Sequence, residues 1–388
     1  GLMYPIANSY GDPITAEYAS TRMRWEPVVE TTQIKGDSET HPALSRNDEF
    51  ADFETYDHVI ESGEQGEATL FGDGFIGELS EQDRLLLEEN EKRIATAGDY
   101  SRSGLLRGLV IEERVGDNPY KFGLIGSTDS HTSISSAEED NFWGKMALDS
   151  TPENTLDPSK VVVPPTSYGA DMGAAGLSAV WATENTRESL LDAFQRKEVY
   201  STTGPRIVLR FFGGFSFRAG DIGATDVAAV GYRKGVPMGG DLSIVGSDKA
   251  PSFLIHALKD PAGANLDRVQ VVKGWLDDRG APVEQVYDVA WAGAREPGND
   301  GRLPPIGNTV NLDTAVYTNT IGSVELATVW MDPDFDPLKR AFYYVRVLEI
   351  PTPRHTLYDS VAMGQSHPEE FPATIQERAY SSPIWYTP

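Results

Sequence analysis

Lys121-Phe122-Gly123-Leu124-Ile125-Gly126-Ser127-Thr128-Asp129-Ser130-His131 passes within a few residues from an apolar run to a polar tip. Its first six residues predict a short buried strand. Before it, residues 100–115 carry apolar side chains at 105, 106, 109, 110 and 111, the spacing of a helix, and Gly116 supplies a C′ stop. Asn118-Pro119 then breaks the chain. Helix, glycine stop, proline turn, strand and polar tip form the grammar of an α/β barrel or a doubly wound sheet.

That grammar recurs once. Gly176-Leu177-Ser178-Ala179-Val180-Trp181-Ala182 predicts a strand, and Asn185 with Glu188 predicts a capping box. Residues 187–197 then place Leu190, Leu191 and Phe194 on one helix face. Upstream, residues 15–25 predict a helix closed by Pro27, and Val28 to Ile34 a strand ending at Gly36. A Gly- and Glu-rich patch at 62–74 predicts a loop, and residues 79–94 a helix. From Arg206 the texture changes to short β-rich runs at 207–212, 252–257, 266–272, 285–291 and 341–347, separated by Gly, Pro and Asp clusters. The expected organisation is therefore an α/β part over 1–205 and a β-sandwich domain over 206–388.

Composition bounds the function. The 388 residues hold 59 acidic and 33 basic side chains, a formal net charge of −26, which makes nucleic acid and anionic membranes poor partners. With no cysteine, disulfides, thiolate zinc sites and cysteine nucleophiles are all excluded. No apolar run reaches the ~18 residues of a membrane span. Gly1-Leu2-Met3-Tyr4-Pro5 lacks the features of a signal peptide and reads as the interior of something longer. Compartment stays open among periplasm, exterior and cytoplasm, with periplasm or secretion favoured.

Chemistry is expected at the polar tip. Asp129 and His131, two apart at a strand end, offer a hard oxygen and an imidazole suited to Zn, Mn or Fe. Glu39 and His41 form a second such pair after another apolar strand, as a ligand or an acid/base group at the same rim or as anchors of the loop. Glu138-Glu139-Asp140 reads as a helix-start charge cluster and Arg206 as the junction between the parts. His58, His355 and His367 are expected at the surface, and His256 packed within a strand. No nucleophile elbow, P-loop or dinucleotide fingerprint is present.

Thr32 to Pro42, Gly126 to Thr132, Gly176 to Arg206 and Gln376 to Tyr386 resemble stretches of the bacterial domain-of-unknown-function family 3604 over essentially the whole chain. That family is similar to the PHP (polymerase and histidinol phosphatase) metal-dependent phosphoesterases, which use a distorted (β/α)₇ barrel. The resemblance implies metal-assisted hydrolysis of a small-molecule substrate such as a phosphate ester. It puts Asp129 and His131 among the ligands of divalent Zn, Mn or Fe, with Glu39 and His41 beside them as ligand or acid/base groups. The early H-x-H element and the mid-barrel ligands of such barrels have no counterpart here. The chain thus resembles the C-terminal part of a member, and a missing N-terminal segment is expected to complete the barrel. Two other readings stand beside this one: a non-catalytic protein whose β-domain binds a carbohydrate or a partner, and a metal-dependent amidohydrolase.

Overall fold

The computed structural model describes residues 3–8, 10–55, 98–134, 136–162, 167–174, 176–243, 249–299 and 301–388. The loop expected at 62–74, the helix expected at 79–94 and His58 lie outside them.

The chain begins with α1 (Ala16–Trp25), which the Thr15 hydroxyl caps by accepting the Tyr18 N–H, then β1 (Val28–Gln33) and β2 (Gly36–Asp37). Next come α2 (Ser101–Val115) and β3 (Gly123–Gly126). Gly116 ends α2 with φ of 87°, a conformation open to glycine at little cost. Inside α2, a Cβ on Gly108 would come within 2.2 Å of Asn118 Oδ1. That oxygen accepts the Tyr120 N–H at 2.9 Å and fixes the turn into β3. The helix glycine and the chain break are thus one packing unit.

The elements α3 (Pro152–Thr155), β4 (Leu177–Val180), α4 (Arg187–Gln195), β5 (Val199–Thr202) and β6 (Val208–Gly214) follow. The cap of α4 is Thr186, whose hydroxyl accepts the Ser189 N–H, and not Asn185. Beyond lie α5 (Val227–Lys234), β7 (Gly235–Pro237), β8 (Asp241–Ser243), β9 (Ser252–Leu258), β10 (Leu266–Leu276), β11 (Pro282–Trp291) and β12 (Glu325–Met331). Last come β13 (Ala341–Glu349), β14 (Thr352–Pro353), α6 (His355–Met363), β15 (Thr374–Ile375), β16 (Arg378–Ser381) and β17 (Ile384–Thr387).

The result is a mixed α/β protein with much sheet. In a three-stranded sheet β1 lies between antiparallel β2 and parallel β3. The largest runs β11-β10-β13-β16-β5-β4, with β17 on β13 and β8 on β17. A third runs β12-β9-β6-β7, and β14 pairs with β15. No closed barrel occurs among the described residues. The large sheet runs across residue 205: β5 from one side pairs with β16 from the other, Thr202 opposite Ala379.

Strand β13 shows why this sheet is the centre. Every residue of it is buried, as expected of a strand covered on both faces. Tyr343, Val345 and Val347 join Leu209, Phe211, Phe253 and Ile255 of the β6/β9 sheet in one core. Phe342 and Tyr344, on the opposite face by the two-residue period of a strand, pack with Leu105 and Leu109 of α2. Each such fully buried side chain stabilises the fold by roughly 1.5–3 kcal/mol.

Candidate functional site

Strands β1 and β3 are parallel neighbours, so their C-terminal ends open on one rim. The Ile34 N–H donates to the Thr128 carbonyl at 3.1 Å, pinning the two exit loops together. This brings Lys35 to Asp129: the ammonium lies 3.1 Å from Oδ2. Asp129 itself sits in the left-handed region at φ of 49°, which costs a residue with a Cβ on the order of 1 kcal/mol or more.

Around Asp129 a compact group forms. The buried Lys145 ammonium donates to Asp129 Oδ2 at 2.9 Å and to its carbonyl at 3.1 Å. His131 Nε2 lies 3.4 Å from Asp129 Oδ1 and 3.4 Å from Lys145 Nζ. The backbone closes the same loop, the His131 N–H donating to the Lys145 carbonyl at 2.7 Å. Asp149 holds Lys145 in position by accepting the backbone N–H groups of Lys145 and Met146 at 3.0 and 2.6 Å. Partial burial opposes ionisation of Asp129, but hydrogen bonds from Lys145 and Lys35 outweigh it and hold the carboxyl at about 2. Burial, with the like charge of Lys35, lowers the Lys145 ammonium below its usual range against the pull of Asp129.

Glu39 and His41 go elsewhere. Strand β2 turns the chain back antiparallel to β1, and Glu39 arrives at the start of α2. There it is buried, with Oε1 accepting Arg102 Nε at 2.8 Å and the Tyr344 hydroxyl, and Oε2 lying 3.3 Å from Arg346. His41 is buried beside the Tyr100 ring and accepts the Ala43 N–H on Nδ1 at 3.1 Å. Among the described residues Glu39 and Asp129 share no hydrogen-bond or ion-pair partner.

The remaining histidines divide. His256 is satisfied within its strand by Glu325 at 2.8 Å, as expected. His355 is a correction: it starts α6 in full burial, its Nε2 on the Met172 carbonyl and its ring 4.1 Å from that of Phe142. Its proline neighbourhood suggests a surface turn, but α6 packs its first turn inward. Glu139 does begin a short 3₁₀ turn, yet its carboxylate is aimed inward and accepts the His355 N–H.

Lys35 and Lys145 are the members of the group that the sequence does not announce. Lys35 lies inside the stretch Thr32 to Pro42, where its place right after β1 was the available signal. Lys145 reaches Asp129 through a loop whose course no local pattern reveals. Among the described residues no three His, Asp or Glu side chains gather closely enough to hold a metal ion.

The fold and this rim define a mixed α/β protein with an Asp–His pair at the ends of parallel strands. The whole chain, residues 1–388, matches the family described as "Protein of unknown function (DUF3604)", and it belongs to that family. No curated protein and no solved structure matches it.

Proposed function

We propose that the protein is a metal-dependent hydrolase of phosphoesterase type, in which the parallel β1/β3 unit belongs to a PHP-like barrel and Asp129 and His131 are metal ligands. One observation carries the reading. A strained, ionised aspartate and an imidazole converge at a parallel strand end, where α/β folds put their ligands. The pair suits Zn, Mn or Fe and covers one side of an ion's coordination sphere. Among the described residues no third His, Asp or Glu joins the pair closely enough to complete the sphere.

When bound, the metal would lower the pKa of its water toward ~7 and so supply hydroxide. The chain's own side chains supply the rest. Lys35 and Lys145 form a local positive pair in a chain of net charge −26, and that pair draws phosphoryl oxygens to the rim. His131, half exposed, presents its imidazole to the same rim as the second protein ligand. Glu39 and His41, both buried, hold the scaffold under the rim.

The test is metal content by plasma mass spectrometry after incubation with Mn or Zn, beside the Asp129→Ala/His131→Ala double variant. Stoichiometric metal that disappears in the variant is expected, together with hydrolysis of a model phosphoester. Metal retained in the variant, or no metal in either protein, would overturn the assignment.

A further inference from the structure

A cavity of about 320 Å³ opens between the 3₁₀ turn Glu139–Asn141, the link at 204–206, the turn following β9 and the end of β13. None of Lys35, Asp129, His131 or Lys145 lines it. Its wall carries six carboxylates, those of Glu138, Glu139, Asp140, Asp260, Glu349 and Glu377, against one lining cation, Arg206.

Most of these charges are already engaged. Asp260 accepts the Arg206 and Ala262 N–H groups at 2.7 and 2.9 Å, and Glu377 accepts the Thr203 hydroxyl. Glu138 lies 3.7 Å from the Arg206 guanidinium at the exposed rim. Glu139 uses one oxygen on the His355 N–H. Two acceptors are left over: Oε1 of Glu139 and Oε1 of Glu349 are shut off from solvent and have no hydrogen-bond partner. Glu349 is only 1% exposed, and its Oε1 stands 3.5 Å from where a Cβ on the cavity-lining Gly263 would be.

Among the described residues, Lys259 and Arg354 are engaged elsewhere. Lys259 spends its ammonium on the carbonyls of Asp260 and Gly263, and Arg354 is clamped by both oxygens of Glu54 at 2.9 Å each. A buried carboxylate oxygen without a hydrogen-bond donor is unfavourable, and it is relieved when a donor-rich cation approaches.

We propose that this cavity binds a small organic polycation, with Glu349 as the buried anchor and Glu139 as a second acceptor. The carboxylates are too dispersed for a bare metal ion, since no three of them cluster within coordinating reach among the described residues. Ammonium groups spaced along a methylene chain match that dispersion. Tyr317 and Tyr358 also line the space and offer faces to the methylenes and to the charge. The volume is that of a small-ligand site.

Burial supports the same picture. It raises the Glu139 carboxyl to about 8, with Glu54 adding to the rise and Arg354 opposing it. Burial likewise holds Glu349 and Glu377 well above the ordinary carboxylate range, against Lys259 for the former and with help from Glu139 for the latter. A bound cation reverses this, so binding releases protons and tightens as pH rises through 8.

The probe is spermidine, titrated calorimetrically at 150 mM salt into the wild type, Glu349→Gln and Ala262→Phe. Glutamine keeps the shape of the anchor and removes its charge, while Ala262 is exposed at the cavity wall, so phenylalanine there blocks access without touching the core. Saturable one-to-one binding is expected, at least tenfold weaker in each variant, with heats that change with buffer because protons are released. Equal binding in all three forms would mean association with the general −26 surface, from which Glu349→Gln removes one charge, and would overturn the site. Absence of binding, or saturation of the cavity by Mn²⁺ alone in competition with spermidine, would overturn it too.

Discussion

Arg102 and Glu39 meet in an ion pair in which neither side chain has measurable contact with water, Nε to Oε1 at 2.8 Å across 63 positions of sequence. Asp48 and Arg346 complete a two-by-two lattice: Asp48 takes Arg102 at 2.8 Å and Arg346 at 2.6 Å, and Gln270 accepts Arg346 Nε at 2.9 Å. The lattice ties the loop after β2 to α2 and to the central strand β13. Removing one partner of a buried pair leaves an uncompensated charge and typically costs about 3–5 kcal/mol. Glu39→Ala is therefore expected to lower the unfolding free energy from urea titration by an amount in that range and to shift the midpoint down accordingly, and Glu39→Gln by less. A purely catalytic Glu39 would leave the midpoint where it is and remove only turnover.

The pH dependence of stability has two opposing parts. Burial, with the charge of Glu39, raises Asp37 to about 8, and burial raises Glu139 to about 8. Between about pH 4.5 and 8 the folded protein thus holds protons that the unfolded chain has released, so stability falls as pH rises through this window. Asp48 acts oppositely: burial works against its ionisation, but Arg346 and Arg102 hold it well below the usual range. Its contribution is present above about pH 4 and is lost on acidification. The melting temperature is expected to peak near pH 5 and decline toward pH 8. Glu139→Gln should raise it at pH 8 by about 2 °C or more and leave it unchanged at pH 5. A profile that rises from pH 5 to 8 in the ligand-free protein would contradict the assignment of these two carboxyls.

What the sequence makes legible is local. The leucine spacing of α2, its Gly116 stop and the β-branched and aromatic run of β13 each carry their own signal, and each forms where that signal puts it. What it hides is long-range. Nothing near Thr202 says that its strand partner is Ala379, so a change of texture at 206 looks like a domain boundary although one sheet runs across it. The candidate site behaves the same way. Asp129 and His131 are visible because they are two residues apart. Lys145 is not, because it reaches them by tertiary packing alone, and Glu39 looks like a rim residue until β2 turns it toward Arg102.

The start of α4 separates two neighbours that look interchangeable in sequence. Thr186 Oγ1 accepts the Ser189 N–H at 3.3 Å, whereas Asn185 lies one residue before the cap in an exposed bend. Thr186→Ala is expected to destabilise by about 1 kcal/mol, the usual loss for an N-cap, and Asn185→Ala by a few tenths at most. Chemical unfolding of the two single variants checks this, and a larger loss from Asn185→Ala would move the cap.

Lys145 decides what Asp129 is for. Its ammonium sits on Asp129 Oδ2 at 2.9 Å, so a divalent cation can use that oxygen only after the lysine swings away, and it then meets the displaced positive charge nearby. Under the metal-site reading the lysine is a competitor. Lys145→Met keeps the buried apolar stem and deletes the charge, so Mn²⁺ affinity should rise by about tenfold or more, equivalent to ~1.4 kcal/mol. Asp149, which orients the lysine loop through the Lys145 and Met146 N–H groups, is expected to give a smaller rise when changed to asparagine. Free Mn²⁺ followed by electron paramagnetic resonance during titration measures both. If affinity falls or stays level in Lys145→Met, the ammonium is the permanent occupant of the Asp129 carboxylate. The rim is then an anion-binding surface built from two lysines and a histidine, without a metal.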